Sequence, residues 1–110
     1  MSNTTHPGVD AMRRAADRAT ATLQVLANPD RLLLLCHLAQ GECCVGDLET
    51  ALDIRQPTLS QQLGVLRMKG LVATRKKGKY VHYRIADDGV HALLDTLYRV
   101  YCKKASARRR

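Results

Sequence analysis

The side chains best able to do chemistry in this chain are four cysteines, Cys36, Cys43, Cys44 and Cys102. A thiolate binds soft metals and attacks electrophilic sulfur or oxygen, so each thiol is judged by its surroundings. Cys36 lies in the apolar run Leu35-Cys36-His37-Leu38, where cysteine serves as an ordinary small packing residue. Cys102 precedes Lys103 and Lys104, whose positive charge favours the thiolate. Cys43 and Cys44 are adjacent; adjacent side chains diverge on a helix or turn, which makes a shared chelate awkward. No Cys-x-x-Cys or βαβ pattern supports a redox enzyme, so no catalytic residue and no cofactor are assigned.

A second set of residues suits nucleic acid. Between about Pro57 and Lys69, Leu59, Leu63 and Leu66 recur at i, i+4 and i+7, the buried stripe of a helix. That leaves Thr58, Gln61 and Gln62 outward and Ser60 at the edge, with Gln56 in the turn before. Glutamine can pair with adenine through two hydrogen bonds, and hydroxyls serve bases or phosphates. Such a face is also what plain solvation looks like; it gains weight from the basic segment that follows. Arg75, Lys76, Lys77, Lys79 and Arg84 offer phosphate contacts whatever the base sequence. His82 alternates with Val81 and Tyr83 and is read as facing solvent or phosphate, with no metal role.

The elements that must position these groups follow from periodicity and punctuation. Residues 1–8 read as a flexible arm and 9–27 as a helix with a narrow apolar stripe. Asn28 and Pro29 suit the start of a second helix, apolar on nearly every side through Ala39. Val45 to Leu52 is a short helix and 53–56 a turn. Two strands are expected over Leu71–Arg75 and Tyr80–Ile85, with 76–79 as the hairpin tip. Asp87 and Asp88 open a last helix that runs to about Cys102, and 103–110 is a basic tail. A short helix, a turn, an amphipathic helix and a basic hairpin make a winged helix-turn-helix.

Bulk properties agree. The 110 residues fit one domain, here 9–102, and the net charge of +8 favours a polyanionic partner. No apolar run approaches the ~18 residues of a membrane span, and the first ten residues lack a signal-peptide core. A cytoplasmic protein without membrane contact is expected, in which metal or redox chemistry suits the cysteines better than structural disulfides. The stripe Met12, Ala15, Ala19, Leu23 and Leu26 and the face Leu93, Leu97, Val100 and Tyr101 exceed what one small domain can bury. A homodimer interface on the first and last helices is expected.

Several motifs together carry a specific resemblance: Asn28-Pro29-Asp30-Arg31-Leu32, Val45-Gly46-Asp47-Leu48-Glu49, Gln56-Pro57-Thr58-Leu59-Ser60-Gln61-Gln62-Leu63, Gly70-Leu71-Val72 and Gly78-Lys79-Tyr80-Val81-His82-Tyr83-Arg84. From about residue 20 to 102 the chain resembles the ArsR/SmtB family. The resemblance implies a homodimeric repressor that leaves operator DNA when a metal or reactive sulfur species binds. Arsenic-sensing members carry a Cys-Val-Cys run in the short helix; here Cys44 matches the first thiol and Gly46 stands at the second, although Cys43 could substitute. Of the zinc positions along the last helix only Asp87 is kept, the others being Gly89, Val100 and Lys103, so no metal site is assigned. Around Cys36 and Cys102 both the local words and the 66-residue spacing resemble the branch that senses persulfides and oxidants. There the resemblance implies that these two thiols join through a disulfide or polysulfide bridge. The expectation is therefore an α+β winged helix-turn-helix homodimer, mostly helical with one β-hairpin wing. It represses transcription until a small reactive sulfur species or oxidant meets Cys36 and Cys102, with arsenite-type sensing by Cys43 and Cys44 as the alternative.

Overall fold

The computed structural model of the protein describes residues 8–102. Apart from Gly8, the expected arm and the basic tail lie outside the described residues. The first helix, α1 (Val9–Leu26), buries only its end, Val25 and Leu26. Asn28 starts α2 (Pro29–Leu38): its Oδ1 accepts the backbone N–H of Arg31 at 3.0 Å, and Pro29 takes the first turn, where a missing N–H costs nothing. A pair of residues, β1 (Cys43–Cys44), precedes α3 (Val45–Leu52). Asp53 ends α3 in the left-handed region at φ 55°. Next come α4 (Thr58–Met68), β2 (Val72–Lys77), β3 (Tyr80–Ile85) and α5 (Asp88–Leu97). Asp87 caps α5 by accepting the N–H of Val90 at 3.0 Å. A wider π-type turn, Tyr98–Cys102, carries the chain on.

The winged helix-turn-helix forms as expected, with α3 and α4 as its helical pair and β2–β3 as the wing. Three boundaries differ from the sequence reading. The sheet has a third strand, in antiparallel order β1-β3-β2, because two residues are too short for alternation to reveal. Lys76 and Lys77 belong to β2, not to the tip; the turn is Gly78-Lys79 alone, with Gly78 at φ 64°, a conformation open to glycine at no steric cost. Regular α-helix ends at Leu97 rather than Cys102.

The core is aliphatic. Leu34, Leu35, Leu48, Leu59, Leu63, Leu66 and Leu94 are sealed from solvent, and no polar or charged side chain is buried with them among the described residues. Each such leucine stabilises by about 1.5–3 kcal/mol relative to exposure. The helix α2 lies at the centre, packed against α1, α3, α4, α5 and β3. By contrast α1 stands out. The radius of gyration is 16.7 Å, where a compact domain of ~100 residues has about 13 Å. Met12 and Leu23 are half exposed, and an open groove of about 520 Å³ between α1 and α5 is lined by Ala15, Ala19, Leu23, Val90 and Leu93. Leu26, read as part of an interface stripe, fills the chain's own core instead. No helix among the described residues is long and apolar enough to cross a membrane.

Candidate DNA interface and thiol groove

The helix α4 turns its leucines inward and its N-terminal polar groups outward, but those groups are not equally free. Ser60 and Gln61 are exposed; Thr58 and Gln62 are half-buried. Gln56 is engaged: its Oε1 accepts both the backbone N–H of Ser60 at 3.1 Å and the Ser60 hydroxyl at 2.6 Å, capping α4 from outside. Gln62 is engaged too, its Oε1 accepting from Arg31 Nη1 at 3.2 Å. Gln61 makes no side-chain hydrogen bond among the described residues.

The wing sorts its charges by strand period, since successive side chains point to opposite faces. The register Ala73↔Arg84, Arg75↔His82 and Lys77↔Tyr80 puts Arg75, Lys77, His82 and Arg84 on one face. The other face takes Val72, Thr74, Tyr83 and Ile85, of which Val72 is buried and Tyr83 and Ile85 pack on the core. Lys76, Lys77, Lys79 and Arg84 are exposed, and the Lys79 ammonium lies 5.7 Å from the Tyr80 ring centre. Arg75 differs: it donates two hydrogen bonds of 2.8 Å to Glu42, reaching across β3. That pairing holds the Glu42 carboxyl below its ordinary range, with help from His82 and Lys77, and raises Arg75.

The four cysteines are free thiols. Cys43 pairs with Tyr83 and Cys44 with His82, so the two side chains leave the sheet on opposite faces. Cys43 packs on the core; burial above all, then Asp47 and Cys44, raises its pKa. Cys36 and Cys102 line one groove. Pro29, Leu32, Leu33 and Cys36 recur along a single face of α2 and meet Leu97, Tyr101 and Cys102 around a space of about 430 Å³. In a regular α-helix Cys102 would sit about 140° around the axis from Leu97; the wider i→i+5 pattern of a π-turn reduces that offset. Burial, and then the nearby Cys102 thiolate, raise the pKa of Cys36. Cys102 itself is exposed.

Comparisons with known proteins agree with this architecture. The family described as bacterial regulatory protein, arsR family, matches residues 28–74. The biofilm growth-associated repressor of Agrobacterium fabrum is 53% identical over 92 residues, covering 84% of this chain and 79% of that protein. The chain belongs to the ArsR family. The transcriptional activator HlyU of Vibrio cholerae is 39% identical over 92 residues, 84% of this chain and 85% of its own. The crystal structure of the transcriptional repressor BigR from Xylella fastidiosa superposes with a TM-score of 0.82 at 41% identity, covering 88% of this chain and 96% of that one.

Within this ArsR-family chain, Asp87 spends its carboxylate on capping α5. Among the described residues no three His, Cys, Asp or Glu side chains converge as a metal site. Sequence reasoning missed Arg31 and Glu42, which decide what Gln62 and Arg75 can offer. The signal for Arg31 was weak but present, a lone cation at the start of an apolar helix.

Proposed function

We propose that this chain is a DNA-binding transcriptional repressor that works as a homodimer and leaves its operator when Cys36 and Cys102 are oxidised or bridged by sulfur. Two thiols from distant elements line one apolar groove, and that juxtaposition supports the switch. The exposed Cys102 reacts first; the half-buried Cys36, neutral at rest, resolves by giving up its proton as it attacks. With a hydropersulfide RS–SH, the Cys102 thiolate attacks the outer sulfur and releases RS⁻, leaving Cys102–S–SH. Cys36 gives up its proton as it attacks the inner sulfur; the disulfide forms and the outer sulfur leaves with that proton as H₂S. With a peroxide, Cys102 becomes the sulfenic acid as ROH leaves, and Cys36 closes the disulfide with loss of water.

The helix that carries Cys36 packs directly on α4. A covalent tie between α2 and the end of α5 therefore acts one contact away from the recognition helix. Dimerisation through α1 and α5 is supported by the exposed Met12 and Leu23 and by the groove between those helices. A two-fold dimer presents two such helices to successive major grooves. Tenfold weaker binding needs only ~1.4 kcal/mol of difference between the two forms.

Intact mass and peptide mapping after exposure to polysulfide, peroxide or arsenite, alongside a DNA-retention assay, test the reading. The expected product is a Cys36–Cys102 disulfide or polysulfide, formed as DNA is released. Release by arsenite, with the metalloid retained on Cys43 or Cys44 and the groove thiols unmodified, would replace the dithiol switch by metalloid sensing.

A further inference from the structure

Arg31 constrains what the recognition helix can read. Its guanidinium is held on two sides. Nε donates to the Val25 carbonyl at 2.7 Å and Nη2 to that of Gln24 at 3.5 Å, both in the last turn of α1, where carbonyls run short of helical partners; Gln24 also accepts the Ala27 N–H at 3.3 Å. Nη1 donates to Gln62 Oε1 at 3.2 Å. A guanidinium only donates, so Gln62 must turn its carbonyl toward Arg31, and only its NH₂ remains to face outward. Gln61, one residue earlier, keeps both its donor and its acceptor uncommitted among the described residues.

We propose that Gln62 is a donor-only reader that selects guanine in each half-site, and that Arg31 is the positioning residue that makes it so. The inference rests on the operator-binding reading above. In the major groove guanine offers two acceptors, N7 and O6, and no donor; adenine pairs N7 with the N6 amino group and needs both ends of the glutamine amide. A glutamine whose carbonyl is held inward loses the adenine pairing and keeps the guanine one. Gln61 remains the residue able to take adenine.

The test is enrichment of duplexes from a random-sequence pool by the full chain, comparing wild type with Gln62→Glu and Arg31→Met. Gln62→Glu preserves an acceptor for Arg31 but has no N–H to give. One G·C pair per half-site, favoured about tenfold by the wild type, loses its preference while the other positions keep theirs. Arg31→Met frees the carbonyl, and the same pair shifts toward A·T. The Gln62→Glu arm stands by itself if Arg31→Met fails to fold. Should the wild type enrich no sequence, the operator reading falls. The operator reading survives and the donor-only assignment is overturned if the pair affected is A·T, if Gln62→Glu weakens every duplex alike, or if a folded Arg31→Met keeps the wild-type preference.

Discussion

Cys43 and Cys44 share a peptide bond, yet the pairing of β1 with β3 sends their side chains to opposite faces of the sheet. Cys36 and Cys102 stand 66 residues apart, yet both line the groove between α2 and the end of α5. In an extended segment the pleat separates neighbours, so proximity along the chain works against a shared site. In the groove, a helical face and a widened turn bring distant thiols together. Thiol pairs in such a fold are therefore judged by the elements that carry them and not by spacing alone.

The contrast breaks most visibly in a cysteine series. Cys36→Ser and Cys102→Ser are expected to bind operator DNA like the wild type and to lose the whole inducer response, a tenfold or larger change in affinity. The Cys43→Ser/Cys44→Ser double variant keeps that response. Loss in the double variant with retention in Cys36→Ser, read by fluorescence anisotropy on labelled duplex, would reverse the assignment.

A smaller effect comes from loosening the helix that carries Cys36. Asn28→Ala removes the side-chain acceptor for the Arg31 N–H and is expected to destabilise the fold by about 1 kcal/mol, read as a lower urea midpoint. Because α2 lines the groove, whereas β1 is held by β3 and α3, peroxide-driven disulfide formation slows as well, while alkylation of Cys44 is unchanged.

Thiol titration sharpens the comparison further. Both Cys36 and Cys43 have raised pKa values, chiefly through burial. Unfolding lowers them to the ordinary thiol range, so their contribution to stability is complete below that range and is lost as pH rises through the folded values. Their second causes differ. The Cys102 thiolate raises Cys36, whereas Asp47 and Cys44 raise Cys43. Cys102→Ser is therefore expected to speed alkylation of Cys36 at pH 8 and to leave Cys43 unaffected. Equal rates at Cys36 with and without Cys102 would separate the two thiols electrostatically.

The smallest expected effect lies on the outer face of the sheet, beside Cys44. Glu42→Gln breaks the two-bond pairing with Arg75 and frees a cation for phosphate. The slope of log affinity against log salt then steepens by about one unit. An unchanged slope would mean that Arg75 stays off the DNA in either state.

Much of this was legible in the residues. The cap at Asn28, the acidic start of α5 at Asp87 and Asp88, the i, i+4, i+7 leucines of α4 and the charged hairpin are local patterns, and a local pattern states its own period and its own ends. β1 was invisible because two residues carry no period, and the break in helix at Leu97 because nothing in Tyr98–Cys102 interrupts an apolar helical spacing.

The order of the helices and the hairpin, the inward leucines and the basic balance were determined by the sequence by itself, because each depends on neighbours within one or two turns. Which polar groups remain free was decided only by the tertiary structure. Gln62 meets Arg31 across 31 residues and Arg75 meets Glu42 across 33. Side chains with the same outward periodicity thus end with different hydrogen-bonding capacity. The same holds for the groove that Cys36 and Cys102 share. Contacts of that range form only when the packing of α2 against its neighbours brings remote surfaces together, and no local pattern encodes them.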